Sequence, residues 1–198
     1  MAELTEKSAI QNMSLNEYQE HYSSIAQYYY NLDNFDQNGP HWHRTLFFLK
    51  HLKTGQKILD CGCSNGGLAK YLTGHIECML FSFDIAPFFS QNAQTNAPRA
   101  ICGCFPVEKT PFVNDVFDVV IAGEILEHVL DVNVALKEML RVCKQNGLIL
   151  ATTPKIPDNN PQHLRFLGKD EWLGTLPGCT VEETEHSWLV FYKKQELV

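Results

Sequence analysis

The stretch from Lys57 to Gly67 constrains the fold more than any other. A short apolar strand, Lys57-Ile58-Leu59-Asp60, runs directly into a turn with the skeleton Asp60-x-Gly62-x-x-x-Gly66-Gly67. Glycines permit a tight reversal and let backbone N–H groups approach a ligand closely. A second acidic residue, Asp84, ends the next predicted strand, 24 positions after Asp60. In a doubly wound sheet that carboxylate lies beside the glycine turn and can accept hydrogen bonds from both hydroxyls of a ribose. The ligand then sits outside the carboxyl ends of the strands, where the strand order reverses.

The rest of the chain repeats the alternation that such a sheet requires. Helices are predicted over 14–30 and 41–53, with Asn38-Gly39-Pro40 as a break between them. Further helices are expected at 66–72, 87–95, 135–143 and 169–176. The segment from Glu124 is read as a helix start that could join the helix at 135. Strands are predicted at 57–60, 78–83, 99–103, 117–122 and 147–152. A closing hairpin covers 180–185 and 188–192, turning near His186-Ser187. Strands alternating with helices predict a mostly parallel sheet, and the hairpin adds an antiparallel strand. One domain spans 1–198, as an N-terminal helical lid over 1–53 and a core over 54–198.

Charge and composition narrow the functions. The net charge is −7 with no lysine or arginine run, which disfavours a broad nucleic-acid face and favours a small or weakly charged substrate. No apolar run reaches the ~18 residues that span a bilayer. The N-terminus lacks the pattern of a secretory signal. The seven scattered cysteines include two C-x-C pairs and no C-x-x-C, so reduced thiols in a cytoplasmic protein are expected. The glycine spacing also departs from the G-x-G-x-x-G of dinucleotide sites. An acidic residue at the turn entrance suits an ammonium-bearing ligand better than a pyrophosphate.

The order of ILDCGCSNGG, SFDIAP, PFVNDVFDVVIAGEILEHV and ALKEMLRVCKQNGLILATTP, from about Leu52 to Pro154, resembles the class I S-adenosylmethionine (SAM) dependent methyltransferases. The resemblance implies a Rossmann-like sheet of seven strands, the last antiparallel, with helices on both faces. It implies that Asp60, Gly62, Cys63, Ser64 and Gly66 hold the methionine and ribose parts of SAM, and that Asp84 and Ile85 hold the ribose. Many relatives carry an aspartate after the third strand that bonds the adenine. Here the region reads Cys102-Gly103-Cys104-Phe105-Pro106, so backbone groups around Cys104 and Phe105 are expected in that role, and Glu108 follows later.

Glu124, Glu127 and His128 follow the fourth strand. On a helix they share a face at i, i+3 and i+4. Two carboxylates and an imidazole can bind Mg²⁺, Mn²⁺ or Zn²⁺. Equally, Glu124 can touch cofactor or cap a helix, and Glu127 with His128 can be a structural pair. The loop Pro161-Gln162-His163-Leu164-Arg165 resembles those of ubiquinone-pathway O-methyltransferases and of small-RNA 2′-O-methyltransferases. In the RNA group a loop histidine completes a metal site. Carried over, the ligands are Glu124, Glu127, His128 and His163. Without metal, His128 or His163 is the general base, and His163 can instead be a substrate contact.

Tyr18, Tyr22 and Tyr28-Tyr29-Tyr30 belong to the predicted lid, where aromatic faces can hold a sulfonium or simply pack. His41, Trp42, His43 and Arg44 can line the mouth. The expected reaction is methylation of a hydroxyl oxygen on a small-molecule acceptor. N- or C-methylation, RNA 2′-O-methylation and non-catalytic SAM binding are the alternatives.

Overall fold

A computed structural model describes residues 2–26 and 42–195. Tyr28-Tyr29-Tyr30, Asn38-Gly39-Pro40 and His41 lie outside them. The elements are α1 (Ala2–Gln11), α2 (Leu15–Ile25), α3 (Trp42–His51), β1 (Lys57–Cys61), α4 (Gly67–His75), β2 (Met79–Asp84) and α5 (Pro87–Asn96). They continue with β3 (Ile101–Cys104), β4 (Phe117–Gly123), α6 (Val132–Val142), β5 (Cys143–Pro154), α7 (Lys169–Thr175), β6 (Thr180–Glu183) and β7 (Ser187–Lys193). The strand order is β3-β2-β1-β4-β5-β7-β6. Strands β1 to β5 pair in parallel. β7 runs antiparallel to both β5 and β6. The order reverses between β1 and β4, which places the ends of those strands at the switch point.

Successive strand residues divide between two cores. Leu59, Val120, Ala122 and Ile149 pack with α6 and with Trp172 of α7. Ile58, Val119, Ile121 and Leu150 pack with Phe47 and Phe48 of α3 and with Ala69 and Leu72 of α4. Helices therefore cover both faces. Each large apolar side chain buried this way contributes about 1.5–3 kcal/mol. Helix α6 buries Ala135, Leu136, Met139 and Val142 along one stripe, and the Asp131 carboxylate caps it by accepting from Asn133 N and Val134 N.

The structure departs from the sequence reading in three places. Helix α1 was not expected; its Ile10 packs with Tyr18 and Leu164. Cys143 begins β5 instead of ending a helix. Residues 124–130 form turns, not a helix, and α6 starts only at Val132. The cause of the last difference is tertiary. The carbonyl of Leu126 accepts from Arg165 Nη1 at 3.2 Å, and that of Glu127 from Leu164 N at 2.8 Å and Arg165 N at 3.3 Å. The His128 carbonyl accepts from the Tyr18 hydroxyl at 2.7 Å. The carbonyls of Val129 and Leu130 accept from the Arg165 guanidinium. Five consecutive carbonyls thus find donors outside the segment, which removes the need for an internal helical ladder.

Candidate functional site

The carboxyl ends of β1, β2, β4 and β5 open into a cavity of about 540 Å³. The glycine turn forms one wall. Gly62 (φ +76°), Ser64 (φ +48°) and Gly66 (φ +83°) all take left-handed backbone, so the turn reverses within five residues. At Gly62 a Cβ would also meet Ile125 Cδ1 at 2.6 Å. The glycine turn and the 124–130 turn therefore abut, and only glycine fits between them.

Asp84 stands in this cavity. Its Oδ2 accepts from Ser64 N and its Oδ1 from Ala86 N, both at 3.0 Å. Burial pushes its carboxyl up to about 6 despite those donors. Asp60 lies in an adjoining cavity of about 140 Å³ with Cys63, Ser64 and Gly67. It accepts from Ser82 Oγ at 2.9 Å, and burial pushes it up to about 7. Two carboxyl groups raised by burial, with lone pairs still open to the cavities, suit a ligand that brings hydroxyl donors and positive charge. Ile85 and Phe105 line the main cavity, while Cys104 stands exposed at the end of β3. Glu108 also faces the cavity, in the turns of residues 105–116 that replace a crossover helix; its Oε1 accepts from Leu130 N at 3.2 Å.

The other end of the cavity gathers Glu127, His128 and His163. One ligand atom from each lies within 4.8 Å of the others. The shared helical face expected for them does not exist; the Arg165-braced turn brings them together instead. Glu127 is 2% exposed, and neither carboxylate oxygen has a hydrogen-bond partner among the described residues. Burial, then the charge of Glu124, pushes its carboxyl well above the ordinary range. His128 Nδ1 lies 3.0 Å from the Gln162 carbonyl, so Nδ1 donates and Nε2 remains an acceptor. Burial, then His163, pushes this imidazole down to about 3. His163 Nδ1 pairs with Asp158 at 2.9 Å, and its ring meets the His128 ring edge-on at 4.7 Å. Glu124 stands apart from the trio. Its backbone is left-handed (φ +54°), and its Oε2 lies 3.6 Å from Arg44 Nη1.

Of the lid residues, Tyr18, Tyr22 and Arg44 line the cavity. Trp42 packs edge-on against Tyr71 of α4 instead. Sequence reasoning missed the roles of Arg165, which braces the turn, and Asp158, which orients His163. The spacing His163-Leu164-Arg165 was the available signal. In an extended chain it puts His163 and Arg165 on one side and Leu164, which is buried, on the other. Seven cysteines are free, and among the described residues no helix is long and apolar enough to cross a membrane.

A family described as a methyltransferase domain matches residues 59–151. The chain is 29% identical over 139 residues to a 24-methylenesterol C-methyltransferase of Arabidopsis thaliana, covering 64% of this chain and 38% of that protein. It is 29% identical over 147 residues to a ubiquinone biosynthesis O-methyltransferase of Bradyrhizobium diazoefficiens, covering 72% and 55%. The chain thus spans about half or less of these relatives' length. Its fold matches that of a Haloferax volcanii protein described as a putative methyltransferase, solved in complex with the Trm112 methyltransferase activator. The TM-score is 0.73 at 15% identity, over 88% of this chain and 98% of that one.

Proposed function

We propose that this chain, similar to a methyltransferase domain over residues 59–151, is a class I SAM-dependent methyltransferase that methylates a hydroxyl oxygen of a small-molecule acceptor. The observation that carries this reading is the buried Glu127 carboxyl, which accepts no hydrogen bond among the described residues and lies 4.0 Å from His128 Nε2, beside the Asp158-oriented His163. SAM supplies an electrophilic methyl group on a sulfonium. Asp84 accepts from the ribose hydroxyls, with Ile85 beside it. Asp60 meets the ammonium of the methionine end, directly or through water. The turn of Gly62, Cys63, Ser64 and Gly66 shapes the backbone around both. Cys104, Phe105 and Glu108 form the adenine end, and Glu124 stands between cofactor and acceptor.

At the acceptor, His163 is the better general base. Asp158 fixes its Nδ1–H, which leaves Nε2 to take the hydroxyl proton. His128, held down at about 3, is a poor proton acceptor and serves to position. Arg165 holds the turn in register, so the remainder of the rate comes from orientation.

A divalent cation such as Mg²⁺ is a second reading, favoured by Glu127. The residues that fit it are Glu127, His128 and His163, each histidine donating its other nitrogen to a carbonyl or carboxylate, as metal-binding histidines do. Glu124, facing Arg44, is not among them. The cation would supply Lewis acidity that lowers the pKa of a bound hydroxyl.

Calorimetric titration with SAM and a methyl-transfer assay over hydroxyl, amine and carbon acceptors, with and without EDTA, test both readings. No binding at millimolar SAM overturns the cofactor assignment. Methylation of nitrogen or carbon alone overturns the oxygen assignment. Binding without transfer to any acceptor points to a SAM-binding regulator. Activity that survives both EDTA and Glu127→Ala removes the metal.

A further inference from the structure

We propose that Gln162 selects the acceptor. Its side-chain amide receives a second neutral polar group, a hydroxyl or a carboxamide, carried beside the hydroxyl that is methylated. This rests on the reading above, in which the acceptor meets His163. Gln162 lies in the wall of the main cavity with His128 and His163, yet it is only 4% exposed. Among the described residues its buried Oε1 accepts no hydrogen bond and its Nε2 donates none.

The main chain fixes where this amide stands. The His163 N–H donates to the Asn160 carbonyl at 3.0 Å, which closes a turn over 160–163. Inside that turn the Gln162 N–H donates to Asn160 Oδ1 at 3.0 Å, and the Gln162 carbonyl accepts from His128 Nδ1 at 3.0 Å. The Leu164 N–H then donates to the Glu127 carbonyl at 2.8 Å. The backbone of Gln162 therefore serves the fold and the orientation of His128, and its side chain serves neither.

A buried amide that bonds nothing is costly, and most such groups in native proteins have a partner. An apolar side chain meets burial without that cost, as Leu164 does two positions on by packing with Ile10 and Tyr18. The missing partner is then a ligand. The residues proposed for the cofactor, Asp60, Asp84 and Cys104, stand at the ends of β1, β2 and β3. Gln162 stands in the loop after β5, next to His163, so its partner is the acceptor. A carboxamide offers an acceptor and two donors side by side and does not titrate. It matches a neutral group that both donates and accepts. A site built to bond such a group rejects the analogue that lacks it, because its own amide is then left unpaired.

The test needs no knowledge of the natural acceptor. Two analogues of S-adenosylhomocysteine are made in which nitrogen replaces the sulfur and carries an arm into the acceptor end. One arm is 2,3-dihydroxypropyl. The other is 2-hydroxybutyl, in which a methyl group replaces the terminal hydroxyl. Affinities for the full chain are measured by calorimetry in EDTA, which removes any cation that could itself favour a diol. S-adenosylhomocysteine is the reference for the cofactor end. The diol arm is expected to bind at least about fivefold more tightly than the butyl arm. In Gln162→Met the gap is expected to shrink to within about twofold, with the affinity for S-adenosylhomocysteine kept and the Tm of the ligand-free protein equal or higher. A smaller gap in the wild type, or a gap that survives Gln162→Met, overturns the inference. A fall in Tm for Gln162→Met overturns it too, by assigning the amide to the scaffold. So does binding of S-adenosylhomocysteine with no binding by either arm. In all these cases the cofactor assignment stands. If S-adenosylhomocysteine fails to bind the wild type, the cofactor assignment is what has failed, and this inference falls with it.

Discussion

Replacing Glu127 by methionine separates a functional carboxyl from a structural one. Glu127 is 2% exposed and neither of its oxygens has a hydrogen bond among the described residues, the nearest side-chain contact being His128 Nε2 at 4.0 Å from Oε1. A buried polar group left without a partner costs about 1–3 kcal/mol. Methionine has similar length and no such cost, so Glu127→Met is expected to stabilise the ligand-free protein by about that amount. In a chain of this size each kcal/mol shifts Tm by about 2–4 °C, which gives a rise of about 2–12 °C. The same substitution removes the carboxyl on which the proposed site depends, so methyl transfer is expected to fall by about a hundredfold or more. The two readouts are thermal unfolding followed by circular dichroism and initial rates at saturating SAM. A fall in Tm would mean that the carboxyl is part of the scaffold, and unchanged rates would mean that it takes no part in the chemistry. Either result refutes the reasoning.

Asp60 and Asp84 should make SAM binding pH-dependent. Burial raises them to about 7 and about 6, so the neutral forms favour the folded apo-protein. The stability they contribute is present below about pH 4 and is lost as pH rises through about 6–7. A cationic ligand needs the ionised forms, so its affinity by calorimetry should tighten from pH 5.5 to pH 8; a flat profile contradicts the assignment. At the N-cap of helix α4, Gly66→Ala adds left-handed strain and a Cβ 2.7 Å from Ala93 Cα, for a loss of about 2–5 kcal/mol in urea unfolding. Gly74→Ala, inside that helix, meets nothing within 4 Å and should gain about 0.5–1 kcal/mol; equal effects of the two would refute the packing argument. Arg165→Lys keeps the charge but loses the fork that spans Leu126, Val129 and Leu130. It should lower kcat about tenfold or more while leaving the Kd for SAM within about twofold; a matching loss in both would place Arg165 in cofactor binding.

What could be read from the sequence was local. The strand from Lys57, the turn at Gly62 and Gly66, and Asp84 at the end of β2 depend on residues within a few positions, and they appear where expected. The hairpin of β6 and β7 is likewise set by short-range alternation. The segment from Glu124 to His128 misled because its periodicity suits a helix, while its carbonyls are claimed by residues more than 30 positions away. Glu127, His128 and His163 still meet, through a brace that no helical spacing describes. Asp158 was invisible for a similar reason: its partner His163 is fixed by the path of an irregular loop. Glu124 was grouped with the trio because a helix would have put it there; its left-handed backbone sends it to Arg44 instead.

That brace also separates two events in the life of the chain. The sheet closes through pairings between neighbouring strands, and α6 caps itself with Asp131. The turn at 124–130 has no such self-sufficiency. It takes shape only when Leu164 and Arg165 arrive from the loop after β5, and Tyr18 arrives across 110 residues of sequence. The Tyr18 contact closes a longer loop than the β1–β4 pairing of Ile58 with Val119, and longer loops close at a greater entropic cost. A chain with a finished sheet and glycine turn therefore still lacks the shape of the proposed acceptor end until its first helices dock. Docking of α2 and shaping of the acceptor end are then one event, and whatever loosens the first blurs the second while the sheet stays whole.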